Sequence, residues 1–157
     1  MAIRNIVQVG DEVLRKKSAP VTAFDEKLHE LLDDMKETLK AANGAGLAAV
    51  QVGILRRAFI VDVAEGYFEF INPVFVKTKG RQVGEEGCLS VRGKYGTVER
   101  PRVVEIKAFD RDGKEFKLKA YDFFARAICH EYDHLDGVLY VDKASEIFSA
   151  DARDFKE

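Results

Sequence analysis

The chain has 157 residues, 46% hydrophobic and 33% charged, with 25 basic side chains against 27 acidic for a formal net charge of −2. That is the composition of an ordinary globular protein large enough to build a core, and the near balance of charge gives no electrostatic reason to expect nucleic-acid binding. No apolar run approaches the ~20 residues a helix needs to span a bilayer, and Met1-Ala2-Ile3-Arg4-Asn5 lacks the apolar core of a signal peptide, so a cytoplasmic protein with no membrane role is expected.

Neither a repeat nor a linker breaks the chain, so one domain over residues 1–157 is expected. In chain order, residues 24–42 form the clearest helix. Leu28, Leu31, Leu32, Met35 and Leu39 recur on one face, and Asn43-Gly44 suits its C-terminal cap. His29 lies beside that stripe and reads as a surface or boundary residue. Residues 57–63 and 67–72 read as strands about a turn at Glu65-Gly66, with a short strand over 74–77. Residues 103–109 and 115–121 flank Asp110-Arg111-Asp112-Gly113-Lys114, a hairpin signal. Asp122 then caps a helix over roughly 123–136, closed by Gly137. The polar tail beyond about residue 143 is expected to be weakly helical or frayed. The class is α+β: mostly antiparallel strands packed around a C-terminal helix, with an N-terminal amphipathic helix.

That C-terminal helix carries His130-Glu131-Tyr132-Asp133-His134. Histidines four apart point from one helix face. They can hold one metal ion, with the intervening glutamate in reach of a water activated there. A bare H-E-x-x-H also arises by chance, so a third ligand decides its meaning. A downstream histidine fails, because the required position is Tyr140. A downstream glutamate would have to be Glu146 or Glu157, with only 23 residues left after His134. The remaining candidate is Cys88 in Glu85-Glu86-Gly87-Cys88-Leu89-Ser90, since a thiolate binds zinc or ferrous iron well. The bland alternative is a turn with a buried cysteine. Cys129 points about 100° from His130 on the helix and reads as a small buried hydrophobe. In Gly44-Ala45-Gly46-Leu47-Ala48-Ala49-Val50-Gln51, glycines would let backbone groups meet an extended substrate. Gln51 there offers an amide to a developing oxyanion. The plain alternative is a flexible helix exit leading into a strand.

Together these segments resemble the peptide deformylase family, marked by G-x-G-L-A-A-x-Q, E-G-C-L-S and H-E-x-x-D-H-L. They stand here in the same order as Gly44–Gln51, Glu86–Ser90 and His130–Leu135, and the resemblance runs to about residue 143. It implies an enzyme that removes the formyl group from the N-terminal formylmethionine of newly made proteins, releasing formate. It also implies one divalent metal ion, typically Fe(2+), with Zn(2+), Ni(2+) or Co(2+) as alternatives, held by Cys88, His130 and His134. Glu131 would be the general acid/base. Gln51 and the Leu89 N–H would be oxyanion donors, and Gly44, Ala45, Gly46 and Gly87 would meet the peptide. The partners implied are nascent formyl-Met polypeptides and, transiently, the ribosome. The chain departs from many members at Cys129, where glutamine is common, and at Arg92, near a common proline. Two rivals remain. One is a zinc endopeptidase, which needs a downstream carboxylate ligand. The other is a binding module with a structural metal and a fourth ligand such as Cys129 or His29.

Overall fold

The computed structural model describes residues 2–149. Helix α1, Glu26–Ala42, begins where the Asp25 carboxylate accepts the Leu28 N–H, and it ends at Asn43, which adopts the left-handed conformation (φ 57°). The chain then forms β1 (Gly46–Ala48), a 3-10 turn over Ala49–Val52, β2 (Ala58–Val63), β3 (Gly66–Lys79), β4 (Gln82–Cys88) and β5 (Val91–Arg100). It continues through β6 (Val103–Phe109), β7 (Glu115–Tyr121), helix α2 (Asp122–His134), a 3-10 turn over Tyr140–Asp142 and β8 (Glu146–Ser149).

Two antiparallel sheets result, one ordered β1-β2-β3-β6-β7 and the other β4-β5-β8. The larger sheet lies between the two helices. The period-2 alternation of β2 explains this. Ala58 and Ile60 join the α1 stripe of Leu28, Leu31, Leu32, Met35 and Leu39. Phe59 and Val61 face the other way, toward Ala125, Ile128 and Leu135 of α2 or just beyond it. Both layers are fully buried, so a one-residue slip of β2 would exchange its two faces.

The α+β expectation holds, with five corrections. The short strand expected at 74–77 belongs to one long β3 whose register with β6 shifts twice. The small sheet lies wholly outside the expected strands. Residues 146–149, expected in a helical or frayed tail, pair as β8 with Lys94–Thr97; residues 150–157 of that tail lie outside the described residues. Asp122 does not cap α2 with its side chain, which instead pairs with Arg102 at 3.1 Å, and Tyr121 holds the N-cap position. The helix ends at His134 rather than at 136. Gly137 (φ 75°) follows, packed so closely on the Arg15 carbonyl that a Cβ there would overlap it. No helix among the described residues is long and apolar enough to cross a membrane.

Candidate active site

α2 presents Phe123, Ala127, His130 and Glu131 to a cavity of about 910 Å³. The opposite walls are two sheet edges. β1 ends the larger sheet and β4 ends the smaller one, so Gly44–Gly46 and Glu85–Leu89 line the same space.

Cys88, at the end of β4, meets the two α2 histidines on the cavity wall. One ligand atom from each of Cys88, His130 and His134 lies within 4.8 Å of the others, with Cys88 Sγ 3.5 Å from His134 Nε2. A soft sulfur and two imidazoles this close suit a divalent transition metal. The expected rivals for the third position lie elsewhere. Among the described residues Cys129 falls outside the cluster and packs into the core against the sheet, where burial pushes its thiol up to about 11. The ring of His29 sits 2.8 Å from the Arg111 carbonyl. Glu146 is exposed on β8.

Behind His130 stands a buried charge network that the sequence did not disclose. His130 Nδ1 donates to Glu86 Oε1 at 2.8 Å, leaving Nε2 as its free ring nitrogen. Glu86 also accepts two hydrogen bonds of 2.9 Å from Arg100 and one of 2.6 Å from Arg126. Arg100 in turn reaches Asp133 at 2.6 Å. Burial works against the Glu86 carboxylate, but hydrogen bonds from Arg100 and His130 hold it well below the usual carboxylate range. An imidazole braced this way has a fixed tautomer and ring orientation. Burial also works against a charged ring at both histidines. Contacts with Cys88 and Glu86 reverse that at His130 and raise it. At His134 burial prevails, reinforced by the charges of His130 and Arg100, and the ring is held neutral.

Glu131 is buried, and its Oε1 has no hydrogen-bond partner among the described residues. Desolvation pushes its carboxyl up to about 7. A buried carboxylate oxygen left unpaired is costly unless something polar comes to meet it. That orphaned oxygen and the neighbouring S/N/N donors fit a site built for a metal ion and a reacting water. Gly46 explains how Glu131 fits: a Cβ there would lie 2.6 Å from Glu131 Oε2. Gly44 is similarly constrained, by Leu89 Cδ1 at 2.9 Å and Leu39 Cδ1 at 3.0 Å. At Gly87 a Cβ would meet nothing closer than 3.7 Å, so packing does not demand glycine there.

The Gln51 side chain is clamped. Its Oε1 accepts the Ala48 N–H at 2.9 Å, and its Nε2 donates to Ser90 Oγ at 3.0 Å and lies 3.6 Å from Cys88 Sγ. The structure therefore brings all ten sequence-predicted site residues, Gly44, Ala45, Gly46, Gln51, Gly87, Cys88, Leu89, His130, Glu131 and His134, to one cavity or its metal-binding corner.

Comparison with known proteins agrees with this geometry. Residues 3–149 match the family model described as polypeptide deformylase. A peptide deformylase of Caldicellulosiruptor bescii is 54% identical over 149 residues, covering 95% of this chain and 90% of that protein. The crystal structure of peptide deformylase from Thermotoga maritima superposes with a TM-score of 0.91 at 39% identity, covering 93% of this chain and 100% of that one. That of a peptide deformylase from Legionella pneumophila gives 0.89 at 43% identity, covering 92% and 87%.

Proposed function

From the premise that the chain belongs to the polypeptide deformylase family, we propose that Cys88, His130 and His134 hold its metal ion and that Glu131, Gln51 and the Leu89 N–H carry the reaction beside it. The enzyme is a hydrolase that removes the N-formyl group from the N-terminal formylmethionine of nascent polypeptides. One observation supports the site assignment above all: the three donor groups converge within 4.8 Å beside a buried, unpaired Glu131 oxygen. Ferrous iron is the proposed ion; zinc, nickel and cobalt suit the same donors. When bound, such an ion supplies Lewis acidity and makes water a competent nucleophile at neutral pH.

The protein's own groups do the rest. The nascent chain lies extended between the free edge of β1 and the end of β4, with backbone groups of Gly44, Ala45, Gly46 and Gly87 meeting its peptide groups. Phe123, Arg126 and Ala127 line the space for the methionine side chain. Glu131 takes a proton from the attacking water as the water oxygen bonds to the formyl carbon. Charge then grows on the formyl oxygen, where the Gln51 amide and the Leu89 N–H donate to it. The C–N bond breaks, Glu131 returns the proton to the leaving nitrogen, and formate and a free amino terminus separate. The close approach of Gly46 to Glu131 leaves little room for an acyl group larger than formyl. A cytoplasmic site of action, on chains leaving the ribosome, follows from that substrate.

Glu131→Gln tests the assignment. It keeps the shape and removes the base, so metal content stays at one per chain while formate release falls by about 10²–10⁴-fold. Activity near that of the parent would remove Glu131 from the role.

A further inference from the structure

Three consecutive residues of the N-terminal segment bind the two stretches that carry the proposed oxyanion donors. The Val7 N–H donates to the Gln51 carbonyl at 2.7 Å, and the Val9 N–H donates to the Ser90 carbonyl at 2.7 Å. Between them Gln8 sends its side chain inward, and its Nε2 donates to the Leu89 carbonyl at 2.9 Å and to the Ile6 carbonyl at 3.3 Å. The segment belongs to no helix or strand. Its outer end is held separately, by Arg4 on Asp34 and Thr38 of α1.

We propose that Gln8 is a positioning residue for deformylation. Its amide fixes the peptide plane that follows Leu89 and, with the flanking Val7 and Val9 bonds, sets the Cys88–Ser90 turn against Gln51. The inference rests on the reading of Gln51 and the Leu89 N–H as oxyanion donors. The physical reason is that these donors sit on different elements. Gln51 belongs to the 3-10 turn after β1, and Leu89 follows the last residue of β4, in the other sheet. Gln51 Nε2 to Ser90 Oγ joins them directly, through side chains. The strap joins them from behind, through backbone carbonyls. An oxyanion donor acts only when aimed at the position the charged oxygen will occupy, and the relative aim of the two donors is what the strap controls. Gln8 itself is partly buried and is not among the residues lining the cavity.

The test compares Gln8→Met, which keeps length and removes the donor, with Gln8→Lys, which restores a donor of similar reach. Both are assayed as metal-loaded full-length enzyme on a formyl-Met peptide, beside Gln51→Met. Gln8→Met is expected to lower kcat about tenfold with KM within about twofold, unchanged metal content and a melting temperature close to the parent's. Gln8→Lys recovers most of the loss. A Gln8→Met enzyme with parental kcat overturns the inference, as does a loss that follows metal content or melting temperature. If Gln51→Met loses rate and Gln8→Met does not, only the strap inference fails. If Gln51→Met keeps the parental rate, the oxyanion reading itself fails and the strap inference fails with it.

Discussion

Gly46→Ala places one methyl group against the proposed acid/base. The added carbon would lie 2.6 Å from Glu131 Oε2, 2.9 Å from its Cγ and 3.0 Å from its Cδ. Unstrained contacts of this kind begin nearer ~3.5 Å, so the carboxylate must retreat by roughly 1 Å. Its surroundings are tight, because Glu131 is only 4% exposed. The backbone at Gly46 does not need glycine's left-handed freedom, and the obstacle is a side chain rather than main chain, so the variant should fold. A misplacement of about 1 Å at a reacting group costs on the order of 10²-fold in rate, or about 2.7 kcal/mol in the barrier. Formate release from a formyl-Met peptide, measured alongside metal content and thermal unfolding, gives the answer. The expected outcome is a kcat lower by about 10²-fold with metal and melting temperature little changed. Activity within threefold of the parent, with metal intact, would mean that Glu131 is not held against the reacting atoms by Gly46.

Three further outcomes follow from the same geometry. Cys88→Ala should lose metal on dialysis, whereas Cys129→Ser, altered on the core side, should retain it; metal analysis after chelator treatment separates them. Glu86→Gln weakens the brace on His130 and should cost about 10–100-fold in metal affinity, read by competition with a chromogenic chelator. The same substitution changes acid stability. Glu86 is held below its unfolded value of ~4.3, so its contribution is present above that value and fades as pH falls toward the folded one. Urea melts of the metal-free parent at pH 5 and pH 3 should therefore show a larger loss than melts of the variant, and equal losses would show that Glu86 is not held ionised by its partners.

Strands β2, β3, β6 and β7 were legible because each is rich in β-branched or aromatic residues and because Asp110–Gly113 marks its own turn; Asp110 Oδ1 accepts the N–H groups of Asp112 and Lys114. β4 and β5 were not legible, because Gly84, Gly87, Gly93 and Gly96 interrupt them with the residue that strands use least. The structure supplies the reason for two of these. A Cβ at Gly84 would meet the Arg126 guanidinium at 3.0 Å, and one at Gly96 the Glu146 carbonyl at 2.9 Å. Both demands come from distant chain, so local pattern cannot reveal them. β8 is hidden for a related reason, since four largely exposed residues become a strand only because β5 offers an edge.

The site divides the same way. His130, Glu131 and His134 declare themselves by helical spacing, and Cys88 by elimination and resemblance. Glu86, Arg100 and Arg126 gave no signal beyond the Glu86 of E-G-C, although a charged side chain in an otherwise buried stretch asks for partners. Arg100 lies 14 residues from Glu86 and Arg126 lies 40; the pairing of β4 with β5 brings the first to Glu86, and the packing of α2 beside that sheet brings the second. The N-terminal strap was invisible altogether, because it belongs to no helix or strand and its partners lie far along the chain, with Leu89 81 residues beyond Gln8.

Deformylation of an N-terminal formylmethionine in this cavity depends on the metal that we propose Cys88, His130 and His134 hold. The most direct test is formate release from a formyl-Met peptide by anaerobically purified protein, before and after metal removal and after reloading with Fe(2+). Turnover is expected to disappear with the metal and return with it, and not to return when Cys88→Ala protein is reloaded. Turnover that survives complete metal removal, or its absence under every metal supplied, would contradict that proposal.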